Sequence, residues 1–477
     1  MRKLHRREFL NGACKGMLGA WGAWAALRAG VSWASEGNGH KPNFVFILTD
    51  DQGWRDVGCY GSSFYKTPNM DRLARQGMLF TDAYAAAPVC SPTRASIMTG
   101  RSPARLHMTH IIQFQNPTNR KLLGPQIRRQ LPLEEITIAE ALHKAGYVTA
   151  SVGKWHLGGP GFEPQDQGFG LNIAGSDLGQ PPDYFYPYRR TIANGRTFHL
   201  SHMPAGKPDD YLTDVLTDQA MKFMDLNKDK PFFLYMSHFA PHTSIGDRLQ
   251  APAPTIARYQ ARVNPNDPQR NPVYAAMIDN LDENIGRLLR KLDELNLTER
   301  TVVVFISDNG GNSDKTSNLP LRGGKCDLYE GGVRVPMIIR WPGVVRPGSV
   351  CHTPVITDDF FPTLRAMAGV HGRPDHSLDG VNLLPLFAPN GVLLRQALHW
   401  HFPHYTEQTT PCSSIREGDT KLIHFYEDDR LEMYSLKDDP YEQHNLAGKV
   451  PAQARQLRVT LDAWLKAAGA QMPVCAS

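Results

Sequence analysis

The sequence predicts an α/β fold: a large, mostly parallel sheet flanked by helices, followed by a smaller α+β unit of antiparallel strands and a helix. Short continuous apolar runs are typical of strands buried on both faces. Four such runs occur, at Asn43–Leu48, Tyr147–Val152, Pro231–Met236 and Thr301–Ile306. An amphipathic helical pattern at 277–292 precedes the last run. Strands that alternate with helices favour right-handed crossovers and a parallel sheet.

Polar residues follow each of the four apolar runs. They are Asp50-Asp51, Lys154-Trp155-His156, His238 to His242, and Asp308-Asn309. Ordinary strand-end turns would explain one such end, because Asp, Asn and Gly are common in turns. Ligands of parallel sheets bind beyond the carboxyl ends of the strands, so four polar ends together predict a functional site there.

Three of these strand-end side chains are carboxylates and one is an amide. Asp50, Asp51, Asp308 and Asn309 offer only hard oxygen donors. Three carboxylates that share a partly buried site would repel one another, so we expect a divalent cation between them. Flexible coordination by many oxygens favours Ca²⁺, and Mg²⁺ is the less favoured ion because it demands a stricter octahedron. The chain has no C-x-x-C pair or Cys/His spacing typical of zinc.

Residues 1–34 resemble an export signal. This segment accounts for the whole net charge of +5 through six basic residues against Glu8, namely Arg2, Lys3, Arg6, Arg7, Lys15 and Arg28. The order Arg6-Arg7-Glu8-Phe9-Leu10 is similar to a twin-arginine signal, although a general secretory signal or an uncleaved anchor also fits. The charges at Lys15 and Arg28 argue against a stable membrane span.

The charge pattern predicts where the protein acts and excludes one class of partner. We expect export by the twin-arginine machinery to the periplasm or the outside of a bacterial cell. The chain after residue 34 is formally neutral. A basic surface for nucleic acid is therefore not expected. The 41% hydrophobic and 21% charged content is typical of a folded protein rather than a disordered or fibrous one.

The segment from Cys90 to Arg101 is the most specific in the sequence. Its Cys is followed by Pro92 and Arg94 and leads into a predicted helix. This arrangement indicates an activated side chain at a helix N-terminus beside a fixed cation. From these residues alone, a thiol nucleophile or a buried inert cysteine also fits.

The C-x-P-x-R pattern followed by T-G-R resembles the signature of the type I sulfatases of the alkaline phosphatase superfamily. The resemblance extends along nearly all of the chain after the signal. Its further motifs are T-D-D at 49–51, G-K-W-H-L-G at 153–158, A-P-H-T at 240–243, S-D-N-G-G at 307–311, R-G-G-K at 322–325 and Y-E-G-G-V-R-V-P at 329–336. Several motifs in the family's order are far more specific than one motif.

The resemblance implies a covalent mechanism at position 90. A formylglycine-generating maturase would oxidise Cys90 to formylglycine, whose aldehyde hydrates to a geminal diol. One diol oxygen would bind the metal and attack sulfur, and the aldehyde would re-form as sulfate is expelled. By the same resemblance the other metal ligands correspond to Asp50, Asp51, Asp308 and Asn309.

Five more residues match catalytic positions of the family. Arg94 would orient the diol and steady the carboxylates, and Lys154 and Lys325 would hold the sulfate oxygens. His156 would take a proton as sulfate leaves, and His242 would protonate the departing alcohol.

The sequence therefore predicts a calcium-dependent sulfuric ester hydrolase that acts on a sulfated carbohydrate or an aryl sulfate. We expect a catalytic domain at 35–380 and a small C-terminal domain at 381–477. One alternative is a phosphate or phosphonate monoester hydrolase of the same superfamily. Another is a non-catalytic protein that binds sulfated glycans with an unmodified Cys90.

Overall fold

The computed structural model describes residues 41–372 and 376–476. The predicted export signal at 1–34 lies outside the described residues. No helix in the part of the chain described is both long enough and apolar enough to cross a membrane.

The described part of the chain contains both strands and α-helices along most of its length. The strands are β1 Asn43–Thr49, β2 Met78–Phe80, β3 Ala83–Tyr84, β4 Leu122–Leu123, β5 Val148–Gly153, β6 Leu171–Ile173, β7 Arg189–Thr191, β8 Thr197–His199, β9 Phe232–Ser237, β10 Thr301–Ser307, β11 Met337–Arg340, β12 Ser349–Cys351, β13 Val355–Ile356, β14 Ala397–Phe402, β15 Cys412–Glu417, β16 Thr420–Phe425, β17 Arg430–Ser435 and β18 Val474–Cys475. The α-helices are α1 Pro68–Gln76, α2 Cys90–Thr99, α3 Pro103–Leu106, α4 Ile138–Lys144, α5 Leu212–Leu226, α6 Ala253–Gln260, α7 Pro272–Glu294, α8 Glu330–Val333, α9 Phe360–Met367 and α10 Pro451–Ala468.

An eight-stranded mixed sheet forms the centre of the fold, in the order β12-β2-β11-β10-β1-β9-β5-β6. The five strands from β10 to β6 in this order are parallel to one another. β11 is antiparallel to both β10 and β2. The predicted large, mostly parallel sheet flanked by helices is therefore confirmed, with two antiparallel pairings that the sequence analysis did not predict.

Both faces of the central strand β1 are buried. Phe44, Phe46 and Leu48 belong to the apolar cluster on one face of the sheet. Val45 and Ile47 belong to the cluster on the other face, which the long helix α7 also lines. Since side chains alternate across a strand, only a continuous apolar run can fill both clusters. The position of β1 at the centre of the parallel strands follows from that pattern.

The C-terminal part of the chain forms a separate four-stranded antiparallel sheet, in the order β14-β15-β16-β17. Helix α10 covers one face of this sheet, where Leu457, Leu461 and Leu465 join a buried cluster with Ile415 and Leu422. This arrangement confirms the predicted α+β character of the C-terminal region. The boundary at residue 380 stays a prediction.

Candidate active site

The carboxyl ends of β1 and β10 bring the predicted acidic residues together. Thr49 and Ser307 are register partners at the ends of these parallel strands. Asp50 and Asp308 therefore leave the sheet side by side. The backbone of Asp51 has a positive φ of 62°, and its N–H donates to Oδ1 of Asp308 at 3.2 Å. A non-glycine residue in this conformation is uncommon, and such residues cluster at functional sites.

Cys90 is the first residue of helix α2 and is 1% exposed. Its Sγ donates to Oδ1 of Asp50 at 3.5 Å. Burial raises the pKa of the thiol, in spite of the nearby Lys154 and Lys325 ammonium groups. The side chain at position 90 therefore projects from a helix N-terminus directly onto the acidic cluster.

Arg94 lies one turn further along α2 and is completely buried. Its Nε donates to Oδ2 of Asp308 at 2.9 Å. Its Nη1 donates to the carbonyl of Lys154 at 2.9 Å and to Oγ of Ser237 at 2.6 Å. One guanidinium thus binds the ends of β5, β9 and β10 to the helix that begins with Cys90.

Two lysines face the first two carboxylates. Nζ of Lys154 lies 2.6 Å from Oδ2 of Asp50, and Nζ of Lys325 lies 2.7 Å from Oδ2 of Asp51. Burial by itself raises the pKa of Asp51, but the charge of Lys325 and the hydrogen bonds from Lys325 and Asn309 help to hold that pKa below its usual range. Both ammonium groups thus form ion pairs at this end of the sheet.

His242 follows β9 and presents one nitrogen to the site. Its Nδ1 donates to the carbonyl of Thr243 at 2.8 Å, so the neutral ring has its lone pair on Nε2. Nε2 lies 3.0 Å from Nζ of Lys325 and 3.4 Å from Oδ2 of Asp51. Burial, followed by the charge of Lys325, lowers the pKa of His242 to about 3.

His156 lies after β5 and is also buried. Its backbone has a positive φ of 61°. Burial and the charges of Lys154 and Arg94 lower the pKa of His156 well below its usual value. The ring is therefore neutral among the same cations that surround Cys90.

The donor set fits a divalent cation. One ligand atom from each of Asp50, Asp51, Cys90 and His242 lies within 4.8 Å of the others. Asn309 donates through Nδ2 to Oδ1 of Asp51, whereas its Oδ1 is buried without a hydrogen-bond partner. A buried acceptor without a donor is costly, and a metal ion would satisfy it.

Asp308 lies beside this cluster, and other groups already occupy its two oxygens. Oδ2 accepts from Arg94, and Oδ1 accepts from the Asp51 N–H. Burial, followed by the charge of Asp50, raises the pKa of Asp308 to about 6. All ten residues chosen from the sequence thus lie at one end of the sheet, and their individual roles stay predictions.

Two neighbours of the site were missed by the sequence analysis. Ser237, the last residue of β9, accepts from Arg94. Gln113, in the loop between α3 and β4, contacts His156. Ser237 stands next to the strand-end residues and could have been chosen with them. Gln113 lies in a loop without any periodic pattern, and no sequence signal marks it.

Comparison with known families identifies the fold and the site together. The model of the sulfatase family matches residues 42–370, which include every residue of the site. The chain belongs to the sulfatase family. A second model, described as N-sulphoglucosamine sulphohydrolase, C-terminal, matches residues 324–470 of this sulfatase, across the antiparallel sheet.

Named relatives agree with this membership. The sulfatase is 33% identical to human arylsulfatase A, with 89% of this chain and 86% of the relative covered. It is 32% identical to human N-acetylgalactosamine-6-sulfatase, with 80% of this chain and 75% of the relative covered. The chain is therefore an enzyme that hydrolyses sulfate esters.

A solved structure shows the same architecture. The crystal structure of Ps i-CgsB in complex with k-i-k-neocarrahexaose matches the sulfatase with a TM-score of 0.75 and 31% identity. The match covers 89% of this chain and 93% of that chain. The chain thus shares its fold with that structure along most of its length.

Proposed function

We propose that this sulfatase releases sulfate from a sulfated carbohydrate, by means of a formylglycine formed from Cys90 and a bound Ca²⁺. The observation that supports it is the convergence of Cys90, Asp50 and Asp51 with two lysines at one buried point. Carbohydrate is favoured because the related Ps i-CgsB was solved with a neocarrahexaose.

The chain's own residues would bind and orient the sulfate ester. Lys154 and Lys325 are ammonium groups whose charges act on Cys90, and they would hold the sulfate oxygens, where negative charge is spread in the transition state. Arg94 fixes Asp308 and the start of helix α2, so the reacting side chain has one orientation.

A bound Ca²⁺ would be held by Asp50, Asp51, Asp308 and Asn309, and it supplies a Lewis acid for a sulfate oxygen. A formylglycine at position 90 supplies a hydrated aldehyde as the nucleophile.

The two histidines would move protons on either side of that nucleophile. Nδ1 of His242 donates its proton to the Thr243 carbonyl, so Nε2 would first take a proton from the Lys325 ammonium group, 3.0 Å away, and then pass it to the departing alcohol. His156 would accept a proton in the step that releases sulfate. Each proton would thus pass through a buried imidazole whose other nitrogen is already hydrogen-bonded.

The remaining sequence predictions belong to the same proposal. We propose export through the twin-arginine machinery to the periplasm or beyond, after residues 1–34 direct the chain there. A formylglycine-generating maturase would be an obligatory partner. The division at 35–380 and 381–477 would separate the catalytic domain from the small domain.

The test is to co-express the chain with a maturase and to measure the conversion of Cys90 to formylglycine by mass spectrometry. The matured protein should release sulfate from members of a panel of sulfated monosaccharides and oligosaccharides that differ only in sulfate position. A Cys90→Ala variant should release none. Chelation should abolish the activity, and Ca²⁺ should restore it better than Mg²⁺.

A second arm compares nitrophenyl sulfate with nitrophenyl phosphate. Turnover of the phosphate alone by protein that contains formylglycine would contradict the proposal. So would ligand retention without sulfate release on every sulfated sugar tested.

A further inference from the structure

The side chain of Gln113 lies across His156 at the edge of the site. Its Oε1 is 2.7 Å from Nε2 of His156. Its amide nitrogen donates to the backbone carbonyl of Asp177. A carbonyl oxygen only accepts, so the NH₂ of Gln113 must face Asp177 and its Oε1 must face the imidazole.

This orientation decides which ring nitrogen of His156 has the proton. Oε1 of Gln113 is an acceptor, so Nε2 of His156 must donate. In a neutral imidazole the other nitrogen, Nδ1, then has the lone pair. Nδ1 is buried and has no hydrogen-bond partner among the residues that the structure describes. Two hydrogen bonds in series, from His156 to Gln113 and from Gln113 to the Asp177 carbonyl, thus leave Nδ1 of His156 as the unprotonated nitrogen.

The ring has little freedom to turn away from this contact. A Cβ on Gly179 would lie 2.5 Å from Cε1 of His156, so the ring packs directly against a backbone without a side chain. The His156 N–H donates to the carbonyl of Ser176 at 2.9 Å. The ring is therefore held between the 176–179 segment and Gln113.

We propose that Gln113 is a positioning residue that keeps His156 in the Nε2–H tautomer, so that Nδ1 is the atom that accepts the proton as sulfate leaves. This inference rests on the proposed function, because only that function gives His156 a proton to accept. Partners that fix the tautomer of a catalytic or metal-bound histidine are a general device of active sites.

Gln113 suits an experiment because it is exposed on its loop, so its replacement removes no core packing. Gln113→Leu removes the acceptor at similar size. Gln113→Glu keeps an acceptor for Nε2–H. Gln115 is exposed in the same loop, and Gln115→Leu is the matched control.

The tautomer can be read directly by NMR of protein labelled with ¹⁵N and ¹³C in histidine. The signal of His156 is assigned by its loss in His156→Asn. We expect the Nε2–H form in the original chain, in Gln113→Glu and in Gln115→Leu. We expect a mixture, or the Nδ1–H form, in Gln113→Leu at an unchanged melting temperature.

Kinetics on the matured enzyme gives the second readout. Gln113→Leu should lower kcat by about 10- to 100-fold with little change in KM, the size of effect usual for partners that orient a functional histidine. Gln113→Glu should recover most of the lost kcat, and Gln115→Leu should equal the original chain.

An unchanged Nε2–H signal in Gln113→Leu would overturn the inference. A changed tautomer at full kcat would overturn it as well, because Nδ1 would then not be the required base. If the matured original chain releases no sulfate from any ester, the proposed function fails. The NMR result still reports in that case whether Gln113 fixes the tautomer.

Discussion

At the scale of single residues, the site consists of buried side chains with charges of both signs. Its carboxylates and its cations are equal in number: Asp50, Asp51 and Asp308 face Arg94, Lys154 and Lys325. A divalent cation would add two positive charges to this balance. We therefore expect the attraction for a sulfate group to come from charges within the site and not from a basic surface, because the residues after 34 are formally neutral.

Lys325→Ala tests whether its ammonium group holds sulfate. We expect kcat/KM for a sulfated sugar to fall by roughly 100- to 1,000-fold, the usual cost of removing one group that stabilises transition-state charge. Steady-state kinetics on protein with equal formylglycine content measures it.

Lys315→Ala is the matched control, because Lys315 lies in the same loop and pairs with Asp247 instead. A loss in Lys325→Ala no larger than in this control would show that Lys325 serves only to neutralise Asp51.

The sequence allowed the residues of the site to be predicted where the ends of neighbouring strands bring them together. Asp50 and Asp308 follow two apolar runs that pair in register, so their proximity follows from the pattern. Gln113 was not predictable, because its contact with His156 depends on the path of a long loop. A loop of irregular conformation has no periodicity to read.

At the scale of elements, the apolar patterns located helices better than they located helix ends. The apolar face at 277–292 predicted helix α7, but the helix begins earlier, at Pro272. Asn271 caps it through bonds from the Val273 and Tyr274 N–H groups, and a proline at the first position suits a helix start. The first turn is therefore specified by capping residues, which hydrophobic periodicity does not report.

The antiparallel strand β11 shows the same limit for strands. Met337–Arg340 is a short buried strand that pairs with β10 on one side and β2 on the other. Alternation of strands and helices predicts parallel neighbours, and a short strand without a crossover helix falls outside that rule.

We expect Asp358, in the short 3₁₀-helix Thr357–Asp359 that leads into α9, to make the free energy of unfolding depend on pH. Burial raises the pKa of Asp358 to about 8, with the charges of Asp379 and Asp359 adding to the rise. An unfolded aspartate has a pKa of about 3.9. The folded state therefore binds this proton more tightly, and its stabilising effect is lost as pH rises from about 4 to 8.

Asp358→Asn should remove this dependence. Over that window the free energy of unfolding of the original chain should fall by up to about 1.4 kcal/mol per pH unit from this one group. The variant should lose that part of the slope, which urea unfolding at several pH values measures. Asp209→Asn, at an exposed position, should keep the slope. Equal slopes in all three proteins would contradict the prediction.

At the scale of the whole molecule, a buried ion cluster joins the C-terminal sheet to the segment that follows Lys325. Lys421 of β16 lies 2.9 Å from a carboxylate oxygen of both Glu330 and Glu442. Burial raises the pKa of Glu442, whereas Lys421, Arg334 and Arg416 hold that of Glu330 below its usual range in spite of its burial. The active-site loop therefore depends on residues about 100 positions further along the chain.

Lys421→Met should be strongly destabilising, because it leaves a buried carboxylate unpaired. We expect the free energy of unfolding to fall by about 3–5 kcal/mol. Adding Glu442→Gln to this variant should restore part of the loss. Urea unfolding of both variants, beside Lys437→Met at an exposed position, makes the comparison. A double variant no more stable than Lys421→Met would contradict the ion-pair account.

Calcium should raise the melting temperature of the entire molecule. A ligand that binds only the folded state adds about 2.7 kcal/mol of stability at a concentration of 100 Kd. Asn309→Ala removes a proposed ligand oxygen and should shift the calcium dependence to higher concentration. Differential scanning calorimetry with calcium titration measures both. Identical titration curves for the two proteins would exclude Asn309 from the ion site.

The pairs Lys154–Asp50 and Lys325–Asp51 have a consequence for the order in which ligands can join the site. Each ammonium group is held by a carboxylate that the cation would also need, so a cation that takes the oxygens releases the lysines toward an anion. Such coupling is reciprocal: each ligand must tighten the binding of the other by the same factor. The metal ion and the sulfate ester should therefore bind to the site cooperatively.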